Sequence, residues 1–213
     1  MKNYLVFGDS NTWGYIPASD RERYPFEQRI CGILQKTLGP EVRIIEEALN
    51  GRMTHRDDPL NADKNAIKQL PFILDTHRPL DLVSIMLGIN DMKHYMGLQA
   101  IDSAMGINTL IEIIRSANCG PDRGVPEILI IAPPVYVNAD KPFGRSFVDA
   151  SDKSKHFATA YQEIADKQGV HFFNAAPLAA PPADGDGVHI DAPGCAAIAN
   201  ALADFIQKET LLA

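Results

Sequence analysis

Five short apolar runs, at Tyr4 to Phe7, Val42 to Ile45, Leu82 to Leu87, Ile128 to Ala132 and Val170 to Phe173, punctuate this chain at near-regular intervals, and stretches of helical period fill the gaps. The third and fourth runs are apolar almost without interruption, as strands covered on both faces are. The helical stretches are Phe26 to Leu38, Ala62 to His77, Ile101 to Ala117, Lys155 to Lys167 and, closing the chain, Ala196 to Lys208. The last follows Asp191 and Pro193, which read as a cap and a first-turn proline. Pro71 inside the second predicts a kink or a split there. Strand and helix alternate five times, which predicts βαβ units with right-handed crossovers and an α/β fold, an open parallel sheet sandwiched between helices. With 213 residues, 46% of them apolar, the chain has material for one substantial core, and a single domain over residues 1–213 is expected.

In such sheets ligands bind outside the carboxyl ends of the strands. Ser10, Gly51 and Asn90 each fall just after one of the first three predicted strands, so three loops converge on one edge. Irregular stretches run from Asp57 to Ala62, over 133–153 and over 175–187. The second follows the fourth strand at the same edge and is long for a compact domain, which makes it a candidate lid, substrate wall or subunit contact.

Charge and cysteine usage exclude several partner classes. The formal charge is −7, which argues against counterion-driven nucleic-acid binding and against a polybasic hold on anionic lipid. Cys31, Cys119 and Cys195 are odd in number and widely spaced, so buried free thiols are expected rather than a disulfide framework or a zinc knuckle. Neither a signal-peptide apolar region nor a membrane span is present, and a reduced, cytoplasmic protein is the simplest reading.

Four segments carry chemistry-bearing residues: Gly8-Asp9-Ser10, Asn50-Gly51, Gly88-Ile89-Asn90-Asp91 and Asp186-Gly187-Val188-His189. A serine on a strand-to-helix turn exposes its hydroxyl above the sheet edge and turns its own N–H toward an incoming carbonyl oxygen. A glycine lets backbone approach a substrate and donate an N–H, and an asparagine amide supplies a further donor. Three-residue spacing lets Asp186 reach the imidazole of His189 and fix its tautomer, freeing the other ring nitrogen to take a serine proton. Each has a plainer alternative. Asp9-Ser10-Asn11 turns the chain and caps a helix, Asn50-Gly51 makes a tight turn, and Asn90 caps a helix. Together, though, the four supply every role that acyl transfer requires. Asp184, Asp186, His189 and Asp191 could be metal ligands by type, but no HExxH or EF-hand spacing accompanies them, and no metal is expected. His55, His77, His94, His156 and His171 are assigned to surface or supporting positions. Trp13, Ile89, Phe143 and Phe147 are candidates to line an acyl pocket, with plain core packing as the alternative.

These residues resemble the SGNH hydrolases, the GDSL-type esterase superfamily. Ser10, Gly51, Asn90 and His189 match its four blocks in order, and Asp186 matches its acid. Asn11 stands where the GDSL name has Leu, beside the nucleophile, and is a candidate substrate-contact residue. The chain from Phe7 to Gly14, from Ile45 to Thr54, Asp57-Asp58-Pro59, and from Leu80 to Asp91 is similar to the aryl esterase and acyltransferase subgroup known from mycobacteria and rhizobia. Ile89 replaces a Thr often found in that block.

The resemblance implies a three-layer, flavodoxin-like sandwich with a five-stranded parallel sheet and no cofactor. It implies a Ser10–His189–Asp186 triad with an oxyanion hole formed by Ser10, Gly51 and Asn90. It further implies hydrolysis of short-chain acyl esters such as aryl or sugar acetates, with transfer to alcohols or peroxide where the site is dry, and homo-oligomers in which the loop after the fourth strand helps enclose the site. A carbohydrate acetylesterase, a lysophospholipase or thioesterase-type lipid esterase, and a non-catalytic flavodoxin-like ligand-binding module are the rival readings.

Overall fold

The structure is a computed structural model, described over residues 1–137 and 146–213. It has five parallel strands, β1 (Lys2–Gly8), β2 (Val42–Ala48), β3 (Leu82–Met86), β4 (Glu127–Ala132) and β5 (His171–Asn174), in the spatial order β2-β1-β3-β4-β5. Between and around them run α1 (Ser10–Trp13), α2 (Ile30–Leu38), α3 (Ala66–His77), α4 (Ala100–Ala117), α5 (Ala150–Ser154), α6 (Phe157–Gln168) and α7 (Ala192–Lys208).

The period of two along the strands divides the core into two layers. Leu5, Phe7, Val83, Ile85, Ile128 and Ile130 face a layer built from α3, α4 and α6, with Leu70, Leu74, Ile107, Leu110 and Tyr161 among its buried residues. Tyr4, Val6, Leu82, Met86, Leu129 and Ile131 face α2 and α7 through Ile30, Leu34, Ile198, Leu202 and Ile206. The α/β fold with helices on both faces of an all-parallel sheet is thus as the alternation implied. Each such aliphatic side chain contributes about 1.5–3 kcal/mol relative to leaving it in water. Ser84, the one polar residue within β3, is fully buried and pairs with the Tyr4 hydroxyl at 2.9 Å, so no donor is stranded there.

Helix boundaries differ from the sequence reading where local caps decide them. The first predicted helix breaks at Arg29, which is extended, into a single 3-10 turn at Phe26–Gln28 and then α2. Gly32 packs so tightly on that turn that a Cβ there would lie 1.8 Å from the Phe26 carbonyl oxygen. The second starts at Ala66 rather than Ala62, because the Asn65 side chain caps it by accepting from the Ile67 N–H at 3.1 Å. Pro71 does not split α3, which continues as one helix to His77. Asp191 does cap α7, accepting from the Gly194 N–H at 2.8 Å. Residues 150–154, read from sequence as irregular, form the short helix α5.

The register pairs Gly8 with Ala48 on one side and Met86 on the other. The three strands therefore release their loops at one level. Connections from β1 and β3 leave in opposite directions across the sheet, which opens a crevice between those two strand ends.

Candidate active site

Ser10 is the first residue of α1, directly beyond β1. Asp9 caps this turn, its Oδ1 accepting from the Asn11 N–H at 3.0 Å, and Gly14 closes it with φ of 86°. His189 lies in the loop before α7. Its Nε2 is 2.9 Å from Ser10 Oγ and its Nδ1 is 2.7 Å from Asp186 Oδ2. Asp186 also accepts from the N–H groups of Val188 (3.0 Å), His189 (2.9 Å) and Ala18 (3.1 Å). An ionised carboxylate only accepts, so the proton of the neutral ring sits on Nδ1 and Nε2 faces the serine hydroxyl as an acceptor. Tyr15 stacks on the His189 ring with centroids 4.0 Å apart, which fixes the ring plane.

A second set of loops brings donors to the same place. Gly51 has φ of 81°, a left-handed conformation that favours glycine, and among the described residues neither its N–H nor that of Ser10 is used in a hydrogen bond. The buried Arg52 staples this loop to the strand end before Ser10, donating to the Gly8 carbonyl at 2.7 Å and the Glu47 carbonyl at 2.5 Å while stacking 4.0 Å over Phe7. Asn90 sits in the 3-10 turn Ile89–Met92 after Gly88, whose φ is 131°. A Cβ on Gly88 would meet the Tyr161 hydroxyl at 2.3 Å, so glycine is required for space as well as conformation. The next residue, Asp91, is fully buried and ties the two donor loops together. Its carboxylate accepts from the Thr54 N–H at 3.0 Å and the Thr54 hydroxyl at 2.5 Å.

Electrostatics follow burial. Asp9 is pushed up to about 6 by desolvation, against the opposing pull of the Asn11 N–H and the nearby His189 and Arg52. Burial raises Asp91 as well, partly offset by its Thr54 bonds. At Asp186 burial acts the same way, but the hydrogen bond and charge of His189 and the backbone N–H donors outweigh it, holding the carboxyl well below the usual range. Burial lowers Arg52 to about 10, against the raising influence of Glu47 and Asp9.

The loops enclose a cavity of about 610 Å³ whose walls include Ser10, Gly51, Asn90 and His189. Trp13 and Phe147 line it. Two predicted contact residues do not. Asn11 points sideways into the protein, its amide nitrogen donating to the Val188 carbonyl at 3.3 Å and its amide oxygen accepting from the Ile190 N–H at 3.0 Å. Ile89 is packed in the core beneath its turn, 1% exposed. Both corrections have one cause: in a helical turn the residue beside a cavity-facing side chain points about 100° away. Phe143 lies outside the described residues. Of the long loop over 133–153, Ser146 and Phe147 form part of the wall. Among the described residues no group of three or more His, Cys, Asp or Glu side chains could hold a metal ion; Asp186 and His189 bond each other and Asp191 caps α7.

Sequence reasoning missed Tyr15, Arg21, Lys64, Lys93 and Tyr95, which also line the cavity. Tyr15 follows the Ser10 turn closely. Arg21, Lys93 and Tyr95 come from segments with no periodic signal, and Lys64 from the start of a stretch read as helix, ahead of the Asn65 cap. Asp91 stood inside a quoted segment without a role of its own.

The chain matches the GDSL-like lipase/acylhydrolase family over residues 6–197. Among solved structures it is similar to a carbohydrate acetylesterase from Sinorhizobium meliloti, 37% identical, with 98% of this chain and 100% of that one covered at a TM-score of 0.93. It is similar to an aryl esterase of M. smegmatis, 34% identical with both chains fully covered and a TM-score of 0.93. A putative arylesterase from Agrobacterium tumefaciens is 37% identical over 98% of this chain and 99% of that one, with a TM-score of 0.89. No curated protein sequence matches.

Proposed function

Because the chain belongs to the GDSL-like lipase/acylhydrolase family and is a carboxylic ester hydrolase, we propose that Ser10, His189 and Asp186 hydrolyse short-chain acyl esters through an acyl-enzyme. The observation that carries this reading is the continuous path Asp186–His189–Ser10, at 2.7 and 2.9 Å, opening on a cavity beside two unspent backbone N–H groups.

In this mechanism His189 Nε2 takes the Ser10 proton as Oγ attacks the ester carbonyl. The imidazolium that forms is held by Asp186 through Nδ1–H. The oxygen of the tetrahedral intermediate becomes an anion and takes hydrogen bonds from the Ser10 and Gly51 N–H groups and the Asn90 amide. His189 then gives its proton to the leaving alcohol, and the carbon–oxygen bond to that alcohol breaks. Water, deprotonated by the same imidazole, attacks the acyl-serine, and His189 returns that proton to Ser10 Oγ as the acyl–Oγ bond breaks and the acid leaves. An alcohol or peroxide that reaches the acyl-enzyme competes with water, so acyl transfer accompanies hydrolysis in this reading.

Aryl acetates and acetylated sugars are the proposed substrate class, supported by the aryl esterase and carbohydrate acetylesterase to which the chain is similar over essentially its whole length. A reduced, cytoplasmic setting is part of the reading, supported by three free, buried cysteines. Self-association is also part of it, supported by the exposed apolar side chains of Phe72, Ile101 and Met105 on the adjoining helices α3 and α4.

The test is hydrolysis of a 4-nitrophenyl ester series, from acetate to long acyl chains, by wild type and Ser10→Ala with a chelator present. Turnover confined to short chains and lost in the variant is expected. Equal rates in the two proteins would remove Ser10 from the mechanism.

A further inference from the structure

The cavity is cationic in an acidic protein. The whole chain carries 27 acidic against 20 Lys and Arg residues. Its walls nevertheless include Arg21, Lys64 and Lys93, and among the described lining residues there is no Asp or Glu.

The three cations differ in how they are balanced. Lys93 is neutralised: its Nζ lies 2.7 Å from Asp58 Oδ2, behind the wall, and the Asp58 side chain is fully buried. Asp58 has little capacity left for anything else, since it also accepts from the Leu60 N–H, the Asn61 amide and the Tyr95 hydroxyl. Arg21 is exposed at the rim. Lys64 is half-buried and, among the described residues, makes no ion pair and no side-chain hydrogen bond. Burial and the positive charges of Arg52 and Lys93 lower its ammonium, with Asp63 and Asp58 opposing. A half-buried ammonium beside other cations is a place where an incoming anion gains more than in open water.

Its position fits a substrate contact. Cδ and Cε of Lys64 lie 3.8 Å from where a side chain on Gly51 would begin. The Lys64 backbone carbonyl accepts from the Met53 N–H at 2.8 Å, which couples its segment to the Gly51 loop. The ammonium is therefore carried on the wall next to a donor that faces the reacting carbonyl.

We propose that this cavity selects esters whose alcohol part bears an anionic group, with Lys64 as the residue that binds it. The inference rests on the short-acyl reading above: an acetyl group has no room for a charge, so the charge falls on the alcohol side. Carboxylate, sulfate and phosphate share the chemistry that Lys64 recognises, and esters of hydroxy acids or acidic sugars present it.

The experiment compares kcat/KM for 3- and 4-acetoxybenzoate with their neutral methyl esters, and for 4-sulfophenyl acetate with phenyl acetate, in wild type, Lys64→Gln and Lys64→Arg. The wild type should favour the anionic member of at least one pair by about fivefold, the strength of a partly screened ion pair. Lys64→Gln should bring that ratio close to one, and Lys64→Arg should restore most of it. Raising the salt well above physiological strength should erode the wild-type ratio, because the screening length falls below about 8 Å. Which pair responds distinguishes a carboxylate from a sulfate. A wild-type ratio at or below one in every pair, or a ratio the same in wild type and Lys64→Gln, overturns the assignment. Failure of the esterase reading is separate: no turnover of 4-nitrophenyl acetate or phenyl acetate.

Discussion

Asp9 occupies a position where a carboxylate is costly. It is 1% exposed and titrates near 6 rather than at the usual 3.8. The folded chain thus holds this proton more tightly than the unfolded one, so stability falls as pH rises from about 4 to 6 and stays reduced above it, by up to about 3 kcal/mol. An amide keeps the cap on α1 without the charge. Asp9→Asn should therefore be more stable than wild type at pH 8 and nearly equal to it at pH 4, as urea unfolding at the two pH values would read. A gap of the same size at both would show that desolvation of the charge is not the cause. At this scale the sequence was informative wherever chemistry dictates residue type: Ser10, Asn90 and His189 are separated by long stretches of chain and stand around one cavity, with Asp186 behind the imidazole. It was uninformative about direction. Nothing in the string distinguishes Ser10, whose hydroxyl faces the cavity, from Asn11, whose amide faces the protein, because that difference is an angle around a four-residue turn.

Between elements, the clamp from Asp91 to Thr54 sets the spacing of the loops that carry Asn90 and Gly51. Replacing it with Asn leaves one acceptor where two N–H or O–H donors converge, and an orphaned buried donor costs about 1–3 kcal/mol. Asp91→Asn should lower the melting temperature and reduce kcat for a 4-nitrophenyl acyl ester while KM moves little, since in the proposed mechanism the donors it positions bind the oxyanion most strongly in the transition state. A rise in KM with kcat untouched would place the clamp in substrate binding instead. The five parallel strands and the two-faced sheet were legible from the apolar runs and their alternation with helical stretches, whereas the spatial order of the strands was not read from them. The starts of α2 and α3 were not legible either, because Arg29 and Asn65 decide them through single backbone or side-chain conformations that leave no periodic trace, although the Asp191 cap of α7 was. Pro71 misled for the opposite reason: a strong local breaker is tolerated because α3 is held by Leu70 and Leu74 in the core.

Across the whole molecule, α7 joins stability to the site, since the loop just before it carries Asp186 and His189. Ile198 on its buried face is wholly enclosed. Truncation to Ala should cost about 2–5 kcal/mol, with KM unchanged for the protein that remains folded. Denaturant melts together with kinetics well below the transition would check both halves of that expectation. Asn11 extends the same coupling across 179 residues to Ile190, and it has a consequence in time. A ribosome makes this protein from Ser10 toward His189, so until the chain reaches His189 the proposed nucleophile is present and its proposed base is not. The side chain next to the serine receives the late-arriving loop, and only when that docking is complete does the hydroxyl acquire a proton acceptor. In the proposed mechanism, ester hydrolysis is thereby withheld from unfinished chains until the last loop has docked.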